Sequence, residues 1–388
     1  MHNIFYELRK IMSNRLTIYI FIIGFLINGF VIAKKPDTIR NYYSDKQVFD
    51  DMYERLSGSI EQEDIDYVTE NYHRLNAKMN AHSISHEYSE ECLTGYEYRD
   101  YDLFKEMYDK YQYIENYGNS LEKVRQISSE NADYYEKTGN QALFKYNKHI
   151  LETYNNRNIS YFYETKNYKY YLNYSFSNLC ILFVIIAALK GIFSSERESH
   201  MSTLILTSRH GKTKNFAGKI SAGLLVTTIV TVLFVIEDFA VFTATFQYKG
   251  LLEPIYSVEE MQYCIYDVSI LEYLVIMAGM KLAGMLVIAA VIMLASAASG
   301  SNLSAIVLSV LGILPMLVFN EKNVIFNAVR LLQISGDASR MNCINFMGQS
   351  VIYIYYCLGT CSVLAVICLL LSFAVETQFG RVFRRERA

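Results

Sequence analysis

From Leu282 to Phe319 the chain runs for 38 residues without a charged side chain. As one helix rising about 1.5 Å per residue, this stretch would be about 57 Å long, nearly twice the hydrocarbon thickness of a bilayer. It must therefore turn. Ser299-Gly300-Ser301-Asn302 supplies the turn residues, and the pattern predicts two membrane helices joined by a tight loop. Pro315 is expected to kink or end the second of them.

Four more apolar runs follow the same logic: Leu16–Ala33, Leu172–Leu189, Ile220–Tyr248 and roughly Ser350–Val375. Together they predict an all-α membrane protein with six transmembrane helices. A composition of 52% hydrophobic and 19% charged residues fits a membrane protein diluted by one soluble part. Basic residues precede the first run at Arg9, Lys10 and Arg15, and a cleaved signal peptide is the competing reading there. The run is long for a signal core, and Val31 is a poor residue three places before a cleavage site after Ala33, which favours a retained anchor. The stretch Lys190–Lys219 holds six Lys or Arg, and the tail Gly380–Ala388 holds four Arg. The positive-inside rule then puts both termini and these segments in the cytoplasm. A formal net charge of −3 gives no encouragement to nucleic-acid binding. Trp is absent and Tyr numbers 33, so Tyr has to serve as the interfacial aromatic.

Residues 34–170 hold 25 acidic and 18 basic residues and form the predicted extracellular domain. Ile65, Val68, Tyr72, Leu75 and Met79 recur at helical spacing, as do Phe104, Met107, Tyr111, Ile114, Leu121 and Val124, so the domain is expected to be mainly helical. Around Glu164–Asn167 the alternation of Ile159, Tyr161, Tyr163, Tyr168 and Tyr170 fits either a short hairpin or a bent helix entering the membrane. The chain thus divides into 1–33, an amphipathic N-terminal connecting helix and the first membrane helix; 34–170; and 171–388. The last part includes a cytoplasmic segment at 191–219 and short outer re-entrant or surface helices within 320–348.

Few residues suggest chemistry. Gly211-Lys212-Thr213 resembles the end of a phosphate-binding loop, but the required upstream Gly is Leu206, so ATP hydrolysis by this chain is not expected. His82 and His86, four apart, are weak metal candidates beside Glu87, Glu90, Glu91 and Cys92, and a plain polar link between helices explains them as well. No bound cofactor is expected. Cys264 and Cys343 are a candidate pair between outer loops, with an odd Cys left over. Glu237 and Asp238 fall inside an apolar run, where an ionised carboxylate needs a partner or a polar path; Lys281 in the next run is the candidate partner. The pair either fixes packing or marks a translocation route.

Within Gly191–Lys219, Met201, Leu204 and Ile205 share a helical face, so the segment reads as a short amphipathic helix at the membrane surface. Glu196-Arg197-Glu198 comes before it, then Thr203–Thr207, then Ser208-Arg209, and Gly218-Lys219 closes it. In this order, on this topology, the chain resembles the permease subunits of type-2 ATP-binding-cassette exporters. Ser199-His200 stand where the family often has Gly. The resemblance implies that Glu196, Arg197, Glu198, Met201, Leu204, Ile205, Arg209 and Lys219 form the coupling segment that docks on a separate ATPase subunit. ATP and Mg belong to that partner, and a second permease copy or a related chain completes the complex. The large domain between the first two spans resembles bacterial relatives that export peptides, antimicrobials or ions, which implies a bacterial plasma-membrane location. An ATPase-driven mechanotransmitter and a peptide-sensing membrane protein are the alternatives.

Overall fold

The computed structural model describes residues 2–35, 46–85, 93, 95, 97–199, 201, 213–318, 327–346 and 349–385. Helices α1 (His2–Met12) and α2 (Arg15–Ala33) are separated by Ser13-Asn14, and the Asn14 side chain accepts from the Leu16 N–H at 3.1 Å to cap α2. After the domain, α7 (Tyr168–Leu172) leads to α8 (Phe176–Leu189), which passes through a helical Lys190 into α9 (Gly191–Glu198). Then come α10 (Thr213–Phe246), α11 (Ile270–Ala298) and α12 (Asn302–Val318), and the chain ends in α15 (Tyr353–Arg385).

Five stretches are long and apolar enough to cross a membrane: Arg15–Ala33, Tyr168–Glu198, Thr213–Phe246, Ile270–Ala298 and Tyr353–Gln378. The sixth expected span is α12, an apolar helix of only 17 residues that continues past Pro315 to Val318. The turn between α11 and α12 falls at 299–301, where the long uncharged run had to break.

Helix α11 is the centre of the bundle. A capping box of Ser269 and Glu272 starts it, and it buries Tyr273, Met285, Ile288, Ala289, Ile292 and Met293 against α8, α10 and α15. Gly284 lets α13 (Val329–Leu332) approach closely: a Cβ there would lie 2.7 Å from Leu332 Cδ2 and 3.0 Å from the Ala328 carbonyl. By contrast α2, α12 and α15 leave large apolar side chains exposed, including Ile23, Leu26, Leu311 and Leu370, as helices that face lipid do.

The domain contains α3 (Lys46–Leu56), α4 (Gln62–Ser85), the long α5 (Glu97–Lys137) and α6 (Gln141–Thr153). The stripes expected from sequence meet here: Val68 and Leu75 of α4 are buried against Leu103, Phe104, Met107 and Tyr111 of α5. Strand β1 (Gly58–Ser59) pairs antiparallel with β2 (Tyr161–Phe162), and Phe162 stacks on Tyr111 with centroids 4.5 Å apart. Tyr161 therefore pairs far back in the sequence, so the local hairpin does not form, while Tyr168–Leu172 is helical and leads, across a break at 173–175, into α8 as a bent entry to the membrane stretch.

A second apolar cluster ties α5 and α6 to the membrane bundle at the end opposite α1. Tyr117, Leu121, Ile150 and Tyr154 pack there with Phe242 and Phe246 of α10, the 249–269 loop and the start of α11. Within 320–348 the structure has α13, α14 (Ser335–Ala338) and the first strand of a hairpin, β3 (Cys343–Phe346) with β4 (Gln349–Ile352), which the helical reading of this stretch omitted. The hairpin delays the last helix to Tyr353. Cys264 and Cys343 are both free thiols.

Candidate functional site

Three polar networks lie along the bundle. The first closes the α1 end. Glu196, on α9, receives Lys219 of α10 at 2.5 Å on one carboxylate oxygen and Lys10 of α1 at 3.5 Å on the other. Lys219 is 0% exposed, and its ammonium also lies 5.0 Å from the centroid of the Phe193 ring. Glu7 lies 3.8 Å from Lys10 and is itself buried, which raises its carboxyl pKa above the usual range, with Lys10 offsetting part of the effect. Arg197 donates to the Ala297 carbonyl, to the Ser299 carbonyl at 2.9 Å, and to the Glu376 carboxylate of α15. Glu198 accepts from the Asn302 N–H at 3.2 Å, capping α12. Ser296 of α11 accepts from the Phe193 and Ser194 N–H groups and donates to the Lys190 carbonyl. Three consecutive residues thus hold α1, α10, α11, α12 and α15 to the end of α9.

Glu196 and Lys219, 23 positions apart, are brought together, whereas Arg197 and Glu198 turn to the α11–α12 corner. Met201 is exposed, and Leu204, Ile205 and Arg209 lie outside the described residues. A cavity of about 510 Å³ opens between α1 and α9, lined by Tyr6, Glu7, Lys10, Glu196 and Met201. Sequence reasoning did not identify Glu7, Lys10 and Glu376 as members. The amphipathic face of α1 was visible, but nothing local pairs position 10 with 196 or 197 with 376.

The second network lies mid-bundle. Lys281 Nζ is 3.3 Å from Asp238 Oδ2 and donates to Ser177 Oγ at 3.0 Å, and Ser177 donates to Asp238 at 2.7 Å. Glu237 joins through Asn28, whose amide donates to Glu237 Oε2 at 3.1 Å and to Asp238 Oδ1 at 2.8 Å. Tyr174 completes the chain by donating to Asn28 Oδ1 at 2.8 Å. All six are under a tenth exposed, so the two carboxyl groups take their hydrogen bonds from Asn28, Ser177 and Lys281 in place of water. Gly29 leaves room for this: a Cβ there would lie 3.0 Å from Glu237 Oε1. Asn28, Tyr174 and Ser177 escaped sequence reasoning because uncharged polar residues do not break an apolar run.

The third network joins the domain to the 249–269 loop. Tyr113 donates to the Tyr256 carbonyl at 2.5 Å, Tyr117 to Gln262 at 3.2 Å, and Tyr154 to Tyr263 at 2.7 Å. Arg157 donates to the Cys264 carbonyl at 2.8 Å, and Lys110 to the Ser257 carbonyl. Burial lowers the Lys110 pKa to about 8, although Glu259, Glu164 and Glu253 oppose the shift. Loop carbonyls that would otherwise be orphaned are satisfied by the domain, which gives the tyrosines a physical role.

His82 lies in the last turn of α4, and His86 is outside the described residues. No group of metal-binding residues occurs among the described residues.

A family model described as "ABC-2 family transporter protein" matches residues 16–320. The chain belongs to the ABC-2 transporter family. The match runs from the start of α2 past the end of α12 and so takes in the domain, the second and third networks, and Glu196, Arg197, Glu198 and Lys219 of the first, while Glu7, Lys10 and Glu376 lie outside it. An ABC-2 chain is the permease component of a transporter whose nucleotide-binding part is an ABC ATPase, in a membrane context. Among curated proteins and among solved structures, nothing matches this ABC-2 chain.

Proposed function

We propose that this ABC-2 chain is the membrane-spanning permease of an exporter that moves a peptide, antimicrobial or other amphiphile outward. A separate ATPase docks on the segment between α9 and α10 and drives it. In this reading six helices span the membrane, α12 being the short one. Both termini are cytoplasmic and residues 34–170 are extracellular. The observation that carries it is the network at Glu196-Arg197-Glu198. These residues immediately precede the segment 199–212, and through them a push on that segment reaches α1, α10, α11, α12 and α15 together. ATP-driven closure of the ATPase would then tilt most of the bundle as one unit, with Mg and ATP on the partner. A second permease copy supplies the other wall of the path, and the exposed apolar faces of α2, α12 and α15 are the surfaces available for it.

One observation favours a second reading, a mechanotransmitter that moves the domain and passes no substrate. Among the described residues the domain holds the α10–α11 loop through seven side-chain donors, Thr165 and Tyr168 joining the five above, so motion of α10 and α11 would carry the domain with it. Extraction in mild detergent, with ATP-dependent export measured in inverted vesicles, tests both. The exporter reading expects an ATPase to co-purify and export to need ATP. An ATPase without export supports the mechanotransmitter, and neither result would sink both.

A further inference from the structure

Beyond the Lys281 network, one ammonium group sits in an aromatic corner. Lys35, two residues past the end of α2, places Nζ 4.9 Å from the Tyr174 ring centroid, 5.7 Å from Tyr170 and 5.8 Å from Phe242. The Tyr174 and Phe242 rings meet at 74° with centroids 5.2 Å apart, so they form two walls of a box. Both are buried, and Tyr170, which also meets Lys169 at 5.3 Å, forms a third, half-buried wall. Cations bind aromatic faces at such distances through the ring quadrupole.

The box is biased further by what lies behind it. The Tyr174 hydroxyl donates to Asn28, whose amide holds Glu237 and Asp238. Donating that proton enriches the ring in electron density. Phe242 lies one helical turn beyond Asp238 on α10. Behind the box lie two carboxyl groups, Glu237 and Asp238, and one ammonium, Lys281, so the network does not repel a further cation. Lys35 follows the end of a membrane helix, where its flexible stem can withdraw toward the membrane surface.

We propose that the corner of Tyr170, Tyr174 and Phe242 is a binding site for an organic ammonium ion, which Lys35 fills when no ligand is present. The site takes a quaternary or primary ammonium group on an otherwise apolar body. Lys35 acts as a built-in competitor, so the ligand must displace it. The site is read by binding alone, in the absence of any ATPase, so it does not stand or fall with the transport reading.

The test is calorimetric titration of choline into the full chain in nanodiscs of phosphatidylglycerol, a lipid without an ammonium group, with empty-nanodisc heats subtracted and the uncharged tert-butyl analogue of choline as control. Lys35→Met should bind choline about tenfold more tightly than wild type, and Lys35→Arg should not. Adding Phe242→Leu to Lys35→Met should remove the gain. If that pair fails to run as a single species on gel filtration, Tyr170→Leu on the half-buried wall serves instead. Equal choline affinity in wild type and Lys35→Met, absence of binding in both, or equal binding of the uncharged analogue would overturn the proposal.

Discussion

Lys219 reaches Glu196 across 2.5 Å with its ammonium wholly shielded from water. A buried charge of this kind is tolerable only while its partner is in place. Glu196→Gln should therefore cost about 3 kcal/mol of stability, while Glu196→Gln with Lys219→Met should recover much of it. Thermal unfolding of the four proteins of this cycle in detergent checks the prediction. A double variant no more stable than the worse single one would show that the contact is not a pair in solution.

Lys281→Met poses the same question inside the bundle. It leaves Asp238 with Ser177 and Asn28 but no cation, and should lower the melting temperature clearly. Lys281→Met with Asp238→Asn should restore most of the loss. Preserved folding and preserved transport in Lys281→Met alone would deny the pair both a packing and a translocation role.

How much of this was legible follows from what a linear pattern can carry. Lys281 and Asp238 announced themselves because charges interrupt apolar runs, and the corner at 299–301 followed from length alone. Asn28 and Ser177 hold the same network but leave no mark on hydropathy. The β1–β2 contact joins two-residue strands about a hundred positions apart, too short for any alternation to show. Arg197 was legible as part of the coupling signature. Its engagement with Glu376 was not, because it depends on α15 passing beside the α11–α12 corner.

The phenol-to-carbonyl contacts predict a graded effect. Tyr113→Phe and Tyr154→Phe remove one hydroxyl each and leave a loop carbonyl without its donor, at about 1 kcal/mol apiece. Hydrogen exchange in the 249–269 loop should speed up in each variant and more in the double variant. Unchanged exchange in all three would mean that apolar packing alone holds the domain.

Lys110 gives a pH signature. Its pKa is about 8 when folded against 10.5 as the ordinary value. Between these values the unfolded chain binds more protons, so this residue's contribution to stability rises as pH increases. Relative to Lys110→Met, wild type should gain on the order of 3 kcal/mol from pH 8 to 10.5. Because the readout is a difference, the many tyrosines titrating nearby cancel. A flat difference would contradict the burial of this ammonium.

The account rests on force entering between α9 and α10, and the most direct measurement is recovery of the ATPase with a permease altered only there. Leu204→Asp with Ile205→Asp replaces two apolar side chains of that segment and leaves every network residue intact. The expected result is normal membrane insertion and normal yield with the ATPase lost from the purified complex. Undiminished ATPase recovery with the double variant would contradict the account.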